Sequence, residues 1–138
     1  MKIDGGCHCG DVTFEAEADP GNTSICHCTD CQQLTGTVFR TSIRTNPGTF
    51  NILTGEPAVY VKTAESGNKR AHGFCRRCGS PIYATSPGPE EPKAYNIRLG
   101  TLRQRNQLTP NVQIWSRSAQ PWLGELATIR RFDKERTG

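Results

Sequence analysis

The seven cysteines are the residues of this chain best suited to chemistry, and they fall into three tight clusters. They are Cys7, Cys9, Cys26, Cys28, Cys31, Cys75 and Cys78. Disulfides are disfavoured because the count is odd, no secretion signal is visible and cysteines two positions apart do not easily bridge each other. Incidental buried thiols would be scattered along the sequence. Clustered thiols predict metal binding, with Zn²⁺ as the expected ion.

The first and last clusters together supply four sulfur ligands. Cys7 and Cys9 lie two positions apart, so in an extended chain both face one ion. Cys75 and Cys78 form a CxxC knuckle, and Gly79 behind it lets backbone amides turn toward the sulfurs. Four thiolates predict a closed structural zinc site. Such a site would close a chain loop of roughly 70 residues, which a small core would struggle to close alone.

The middle cluster offers only three sulfurs, those of Cys26, Cys28 and Cys31. Three protein ligands and one open position are the coordination of catalytic zinc. The spacing therefore predicts two Zn²⁺ ions per chain, one structural and one catalytic. The alternative is a second structural ion completed by a histidine, with His72, His27 and His8 as the candidates.

Composition and charge narrow the class of protein. Apolar residues make up 34% of the 138 residues, which predicts a thin core that the metal sites help to hold. The formal charge is +4, but it falls to about +1 if seven thiolates hold two zinc ions. The basic residues are also dispersed, so no nucleic-acid partner is expected.

No apolar run is long enough for a membrane span and no signal peptide is visible, so we expect a cytoplasmic protein without a membrane partner.

Alternation of apolar and polar residues predicts an all-β fold of short, mainly antiparallel strands, a sandwich or open barrel held by zinc. The predicted strands are residues 12–18, 38–44, 50–53, 58–62, 70–74, 82–84, 94–99, 112–115 and 127–132. One helical turn is expected at residues 29–36, with Thr29 or Asp30 as the N-cap and Gly36 as the stop. Asp30 has a second candidate role, a hydrogen bond near the metal. The chain is predicted to be a single domain, residues 1–138, with a turn at residues 19–22, an irregular crossing at 117–124 and a flexible end at 134–138.

The cysteine motifs resemble those of a known family. They are GCHCG at residues 6–10, CHCTDC at 26–31 followed by Gly36, and FCRRCGSPI at 74–82. In order and spacing they are similar to the glutathione-dependent formaldehyde-activating enzyme family, which is also found as a domain in centromere protein V. The resemblance implies a folded-over β coil with a structural zinc on Cys7, Cys9, Cys75 and Cys78. It also implies a second zinc on Cys26, Cys28 and Cys31, and the addition of glutathione to formaldehyde to give S-hydroxymethylglutathione, a carbon–sulfur lyase reaction in reverse.

The open position suggests how that chemistry would proceed. A thiol that enters it would lose its proton to the field of the metal, and the thiolate would add to the aldehyde. An ion with three thiolates is a poor Lewis acid, which favours thiolate delivery over carbonyl polarisation. Basic side chains would hold the carboxylates of glutathione, although the ordinary interpretation of each candidate is a solvated strand residue. The candidates are Arg40, Arg44, Lys69, Arg70 and Arg98.

The aromatic residues and the overall function leave alternatives open. Trp115 and Trp122 are candidates for a pocket wall, although lone tryptophans are usually core or rim residues. Tyr83 and Tyr95 are expected to serve in packing. The competing functions are a zinc-held protein-binding module without catalysis and a lyase that acts on another small thiol conjugate. An enzyme should have a pocket that opens at the Cys26–Cys31 cluster, whereas a binding module should leave that cluster covered.

Overall fold

A computed structural model describes residues 1–136. Within that range the chain forms nine strands, one α-helix and several short 3₁₀ turns. The strands are β1 (Lys2–Gly6), β2 (Thr13–Cys26), β3 (Arg40–Thr45), β4 (Asn51–Thr54), β5 (Ala58–Thr63), β6 (Lys69–Phe74), β7 (Pro81–Thr85), β8 (Asn96–Arg98) and β9 (Val112–Ile114), and the helix is α1 (Thr29–Thr35). No helix in this range is both long and apolar enough to cross a membrane.

The strands form one open, mainly antiparallel sheet in the order β1-β2-β3-β8-β7-β6-β5. The first half of β2 also pairs with β4, and its second half pairs in parallel with β9. The sheet does not close into a barrel. These features confirm the all-β, mainly antiparallel fold and the single short helix that the sequence predicts.

The predicted turn at residues 19–22 is wrong, because β2 continues through it. The register of the β2–β3 pair shifts between Ala18 and Thr23, so the extra residues form an irregularity inside the strand rather than a reversal. Local side-chain contacts hold this irregularity: the Asp19 carboxylate accepts from the Gly21 amide, and the Thr23 hydroxyl donates to the Pro20 carbonyl. Turn-forming residues have thus produced a bulge.

The strand at the N-terminus was not predicted. β1 pairs with β2 in register, and its Ile3 is only 2% exposed. The strand has one core side chain and ends in two glycines, which gives little periodic signal. Gly5 is required there, because a Cβ atom would overlap the backbone carbonyl of Thr101.

The predicted strand at residues 127–132 is also wrong. The chain forms a 3₁₀ segment at Pro121–Thr128 and no strand follows it within the described residues. Its apolar side chains, including Leu126 and Ile129, are about half exposed. No strand among residues 1–136 pairs with this segment, so alternation alone does not make a strand. The single-domain assignment and the flexible end at 134–138 remain predictions, and residues 137–138 lie outside the described range.

The core is small, as the composition predicts. It lies around fully buried side chains that include Phe14, Ile43, Ile82, Ile97 and Leu102. An aromatic group packs against it, in which Phe50 stacks on Tyr95 at 4.4 Å between ring centroids and Tyr83 meets Tyr95 edge-on at 5.0 Å. This confirms the packing role expected of the two tyrosines.

Candidate metal centre and adjoining cavity

The four-cysteine cluster joins two distant turns of the chain. Cys7 and Cys9 follow β1, and Cys75 and Cys78 lie between β6 and β7. All four Sγ atoms lie within 4.8 Å of one another, with 3.6 Å between Cys7 and Cys9 and 3.7 Å between Cys9 and Cys75. Ligand sulfurs about 2.3 Å from a tetrahedral zinc would be roughly 3.8 Å apart, so the cluster fits such an ion.

Backbone amides turn toward these sulfurs, as the knuckle motif predicts. The Arg77 and Cys78 amides each donate to Cys75 Sγ at 3.4 Å, and the Val12 amide donates to Cys7 Sγ at 3.2 Å. Gly79 has a φ of 79°, which permits the tight turn behind the knuckle. Hydrogen bonds from N–H groups favour the thiolate form that metal binding needs.

The thiol pKa values in this cluster diverge. Hydrogen bonds from Ser80 lower the pKa of Cys78 to about 5. The Asp11 amide lowers the pKa of Cys9, but burial and the neighbouring thiols outweigh it and raise that pKa to about 12. Close thiols therefore cannot all ionise together unless a cation compensates their charge.

The three-cysteine cluster, called here the trio, forms where β2 runs into α1. Cys26 ends β2, Cys28 precedes the helix and Cys31 lies in its first turn. Their Sγ atoms also lie within 4.8 Å of one another, so the trio can hold a metal ion. The structure thus brings together each set of cysteines that the sequence predicted as ligands.

The predicted N-cap of α1 is wrong. Cys28 is the cap, with extended backbone angles, and its Sγ accepts from the Cys31 amide at 3.3 Å. Asp30 instead binds Lys62 Nζ at 2.9 Å. Gly36 ends the helix in the left-handed conformation with φ at 73°, which confirms the predicted stop.

The pKa values of two thiols in the trio also diverge. The hydrogen bond from Cys26 lowers the pKa of Cys31 to about 5, even though burial opposes this, and Arg40 adds to the effect. The same hydrogen bond, together with burial, raises the pKa of Cys26 well above its usual range. Of Cys26 and Cys31, Cys31 is therefore the one whose thiolate form is favoured, with the Arg40 guanidinium nearby.

The candidate histidines do not join either cysteine group within residues 1–136. His27 is buried and its Nε2 lies 2.7 Å from Gln113 Oε1. His72 Nδ1 accepts from Arg98 Nη2 at 3.1 Å, while exposed His8 is held through its backbone amide by the Ser80 hydroxyl. The trio therefore has three ligand atoms and no fourth from the part of the chain described.

A cavity of about 230 Å³, called here the trio cavity, adjoins the three sulfurs. Strand register explains its composition. Cys26 pairs with Arg40, Ser42 pairs with Arg98, and Lys62 pairs with Arg70, so these side chains share one face of the sheet. The opposite face carries core residues. The polar side chains that alternate with core residues along these strands thus line a cavity and do not face bulk solvent.

The basic candidates divide between this cavity and the outer surface. Arg40, Arg70 and Arg98 line it, whereas Arg44 and Lys69 do not. Lys62 also lines it and was missed, because only the fold brings β5 beside α1. Arg40 is 6% exposed and Arg98 is 9% exposed, so the expectation that they are solvated strand residues is wrong.

The buried polar groups are held in a defined arrangement. Arg98 Nη1 donates to Ser42 Oγ at 2.9 Å, and Nη2 donates to His72 Nδ1. Burial and the neighbouring Arg40 lower the pKa of Arg98 to about 9, so it stays charged at neutral pH. Burial and then Arg98 lower the pKa of His72 to about 3, which keeps its ring neutral.

The two tryptophans lie in different places. Trp115 lines the trio cavity, with the Arg117 guanidinium 5.0 Å from its ring centroid. Trp122 is 42% exposed and belongs to the C-terminal 3₁₀ segment. The pocket role predicted from sequence therefore fits Trp115 alone.

The chain is an open-sheet β protein with two cysteine clusters. One has four cysteines and the other three, and each could hold a metal ion, which places the chain in a class of β proteins with thiolate metal sites. Comparison with known families identifies the family to which the chain belongs. Residues 2–118 match the model of the glutathione-dependent formaldehyde-activating enzyme family, and the chain belongs to that family. The resemblance seen in the cysteine motifs is confirmed.

The fold is also similar to that of a Rhodobacter sphaeroides protein known from a crystal structure. The two share 20% sequence identity with a TM-score of 0.57, and the similarity covers 82% of this chain and 99% of that one. At this identity the similarity bears on the fold alone.

Proposed function

We propose that this chain is a zinc-dependent enzyme of the carbon–sulfur lyase type that joins a thiol to an aldehyde. The family points to glutathione and formaldehyde as the substrates. The observation that carries the proposal is the trio itself, which has three thiols, no fourth ligand from residues 1–136, and a cationic cavity beside it.

The roles of the two cysteine clusters differ in this proposal. Cys7, Cys9, Cys75 and Cys78 would hold a structural zinc, and Cys26, Cys28 and Cys31 a catalytic one. Bound there, the catalytic ion supplies a positive field that favours the thiolate form of an incoming thiol. Four sulfurs saturate a tetrahedral ion, whereas three leave room for a substrate.

In this proposal the residues around the trio stabilise the negative charge that forms during the reaction. The thiol gives up a proton, its sulfur forms a bond to the aldehyde carbon, and the carbonyl oxygen takes up a proton to become a hydroxyl. Arg40 and Arg98 stabilise negative charge in the cavity, because both guanidiniums are buried beside the trio. The capped N-terminus of α1 fixes Cys28 and Cys31 relative to each other.

The test combines metal stoichiometry with thiol binding. We expect two zinc ions per chain, and X-ray absorption at the zinc edge should show an additional sulfur neighbour when glutathione is present. Isotope-labelled formaldehyde should yield the S-hydroxymethyl adduct faster than the uncatalysed reaction, as followed by NMR. A full complement of zinc with no change of its sulfur shell on adding glutathione would contradict the proposal.

A second candidate is the protein-binding module without catalysis. The observation that favours it is the edge strand β5, where Val59, Tyr60 and Val61 are each about half exposed. An unpaired edge with apolar side chains can accept a further strand. In that case thiols would leave the zinc spectrum unchanged.

A further inference from the structure

A second pocket, called here the apolar pocket, adjoins the trio cavity. It has a volume of about 450 Å³, and its apolar and aromatic lining consists of Leu34, Tyr60, Phe74, Pro81 and Tyr83. Arg40 and His72 line both the apolar pocket and the trio cavity, so the two spaces share a wall. Among the described residues that line the apolar pocket, these two have the only nitrogen-bearing side chains. Its polar end therefore lies toward the trio.

Strand register makes the two spaces parts of one continuous face. Tyr60 pairs with His72, and Lys62 pairs with Arg70, so these four side chains lie on the same side of β5 and β6. Lys62 and Arg70 line the trio cavity, whereas Tyr60 lines the apolar pocket. The face thus changes from cationic to aromatic along the same two strands.

The helix α1 also connects the two spaces. Cys31 and Leu34 lie three positions apart in α1, so they share one side of the helix. Cys31 belongs to the trio, and Leu34 lines the apolar pocket. A ligand that fills the apolar pocket would therefore have its polar end beside the three sulfurs.

The wall of the apolar pocket is fixed by packing. The Tyr83 ring lies against Gly73, where a Cβ atom would overlap it. The same ring meets Tyr95 edge-on and lies 5.5 Å from Phe50 between ring centroids. Because these contacts hold the ring without a ligand, binding would cost little ordering of this wall.

The chemistry of the two reactants decides which of them fits this pocket. Glutathione is charged, which suits the cationic trio cavity but not an apolar pocket. Formaldehyde has no side chain and would leave most of the space unfilled, although about 450 Å³ lies within the roughly 300–1,000 Å³ of small-molecule sites. An aldehyde with an apolar side chain supplies both an apolar part for the pocket and a carbonyl group for its polar end.

We propose that the apolar pocket binds the side chain of the aldehyde, so that the site selects aldehydes with an aryl or similarly large apolar group over formaldehyde and acetaldehyde. This inference rests on the proposed function, in which the trio accepts a thiol. The thiol sulfur forms a bond to the carbonyl carbon, the π electrons of the carbonyl move to its oxygen, and the proton that the thiol releases ends on that oxygen. The product is the hemithioacetal of the larger aldehyde, and no further reactant is needed.

The first experiment measures binding without turnover, on the unaltered, zinc-loaded full chain. The probes are phenylacetamide and acetamide, which keep the carbonyl group but do not react with thiols. In an NMR titration phenylacetamide should bind at least about tenfold more tightly than acetamide, because its ring is removed from water. The ring signals of Tyr60, Phe74 and Tyr83 should shift as it binds, since these side chains line the pocket.

The second experiment measures selectivity in the reaction. Adduct formation with glutathione is followed by exchange NMR for ¹³C-labelled phenylacetaldehyde and acetaldehyde, and each rate is compared with that of the uncatalysed reaction. We expect kcat/KM to be at least about tenfold higher for phenylacetaldehyde, because binding of its ring also stabilises the transition state.

The third experiment assigns the selectivity to the pocket. In Tyr60→Ala, which removes one wall, and in Leu34→Trp, which fills the space, the preference for the phenyl compounds should fall to less than about threefold. Val61→Ala and Gln33→Trp are the matched controls, because both residues are exposed, neighbour the altered positions and do not line the pocket. Circular dichroism and zinc content establish that each variant is folded and loaded.

The outcomes separate this inference from the proposed function. Catalysis that is equal for the two aldehydes, with equal binding of the two amides, would overturn the inference and leave the proposed function standing. Acceleration of neither aldehyde would remove the proposed function and the inference with it. An undiminished preference in folded Tyr60→Ala and Leu34→Trp would show that the apolar pocket does not bind the side chain.

Discussion

At the scale of single residues, the trio shows how neighbouring groups give chemically equal cysteines different properties. Cys31 is buried and ionises easily because Cys26 and Arg40 stabilise its thiolate. The hydrogen bond with Cys31, together with burial, raises the pKa of Cys26. Cys28 both contributes a sulfur to the cluster and caps α1. Two of the three candidate ligands are therefore tied to the start of one helix.

The double role of Cys28 gives a sharp prediction. In Cys28→Ser the hydroxyl can still accept from the Cys31 amide, because serine is a favourable N-cap, but it is a poor replacement for a zinc thiolate. We expect one ion to be lost per chain with the far-ultraviolet circular dichroism unchanged. The zinc content is measured by atomic emission on the folded variant. Retention of both ions would show that the trio does not hold the second one.

His72 should remain neutral well below physiological pH. Its pKa is lowered to about 3 by burial and then by Arg98, whereas in the unfolded chain a histidine titrates near 6.5. The unfolded state therefore binds the extra proton, and the stability linked to this group falls as the pH drops from about 6.5 toward about 3. In ¹⁵N-labelled protein the His72 ring signals should stay those of a neutral imidazole between about pH 7.5 and about pH 5. A ring that titrates near pH 6.5 in the folded protein would contradict this.

At the scale of elements, the cavity is produced by strand register. Arg98 on β8 meets Ser42 on β3, and Lys62 on β5 meets Arg70 on β6. A shift of one residue in any of these pairs would move a basic side chain to the core face. The helix α1 and the end of β9 then place the trio and Trp115 against this face.

Alanine substitutions at two glycines should lower the free energy of unfolding by different amounts, because only one of the glycines packs against a neighbouring backbone. Gly36 ends α1 with a positive φ and open space around it, so Gly36→Ala should lower the free energy of unfolding by only about 1 kcal/mol. Gly5 lies against the backbone of Thr101, so Gly5→Ala must displace β1 and should lower that free energy by about 3 kcal/mol. Urea unfolding with excess zinc measures both. Equal effects would show that the approach of β1 to Thr101 is not a packing constraint.

At the scale of the whole molecule, the four-cysteine cluster connects the beginning of the chain to the turn between β6 and β7. Because the core is small, an ion bound there would contribute directly to the free energy of folding. The trio, by contrast, involves residues close together in sequence. The two clusters are therefore expected to differ in what their ions stabilise.

This difference predicts opposite outcomes for two serine variants. Cys78→Ser should abolish the fold, as seen by loss of the sheet signal in circular dichroism, whereas Cys28→Ser should keep it. During titration with a chelator, the unaltered protein should lose one ion first while it remains folded, and should unfold as the second ion leaves. If both variants behave alike, the assignment of a structural and a catalytic cluster is wrong.

The grouping of the sulfurs within each motif can be predicted from the amino-acid sequence. Cysteines two or three positions apart must lie close in space whatever the fold, so Cys26, Cys28 and Cys31 were identifiable from their spacing alone. Alternation also gave the all-β class, and the glycine stop signal gave Gly36 as the end of the helix. The turn-forming residues at 19–22 led to a wrong turn, because they form an irregularity inside β2, which continues through them.

The surroundings of the trio, in contrast, depend on how distant strands pack together. Arg40, Lys62, His72 and Arg98 come from β3, β5, β6 and β8, and each occupies a polar position that sequence alternation cannot distinguish from a solvent-facing one. Strand order, register and the nearby helix make that face one wall of a cavity beside the trio. These are long-range pairings, and the local sequence carries no information about which strands become neighbours.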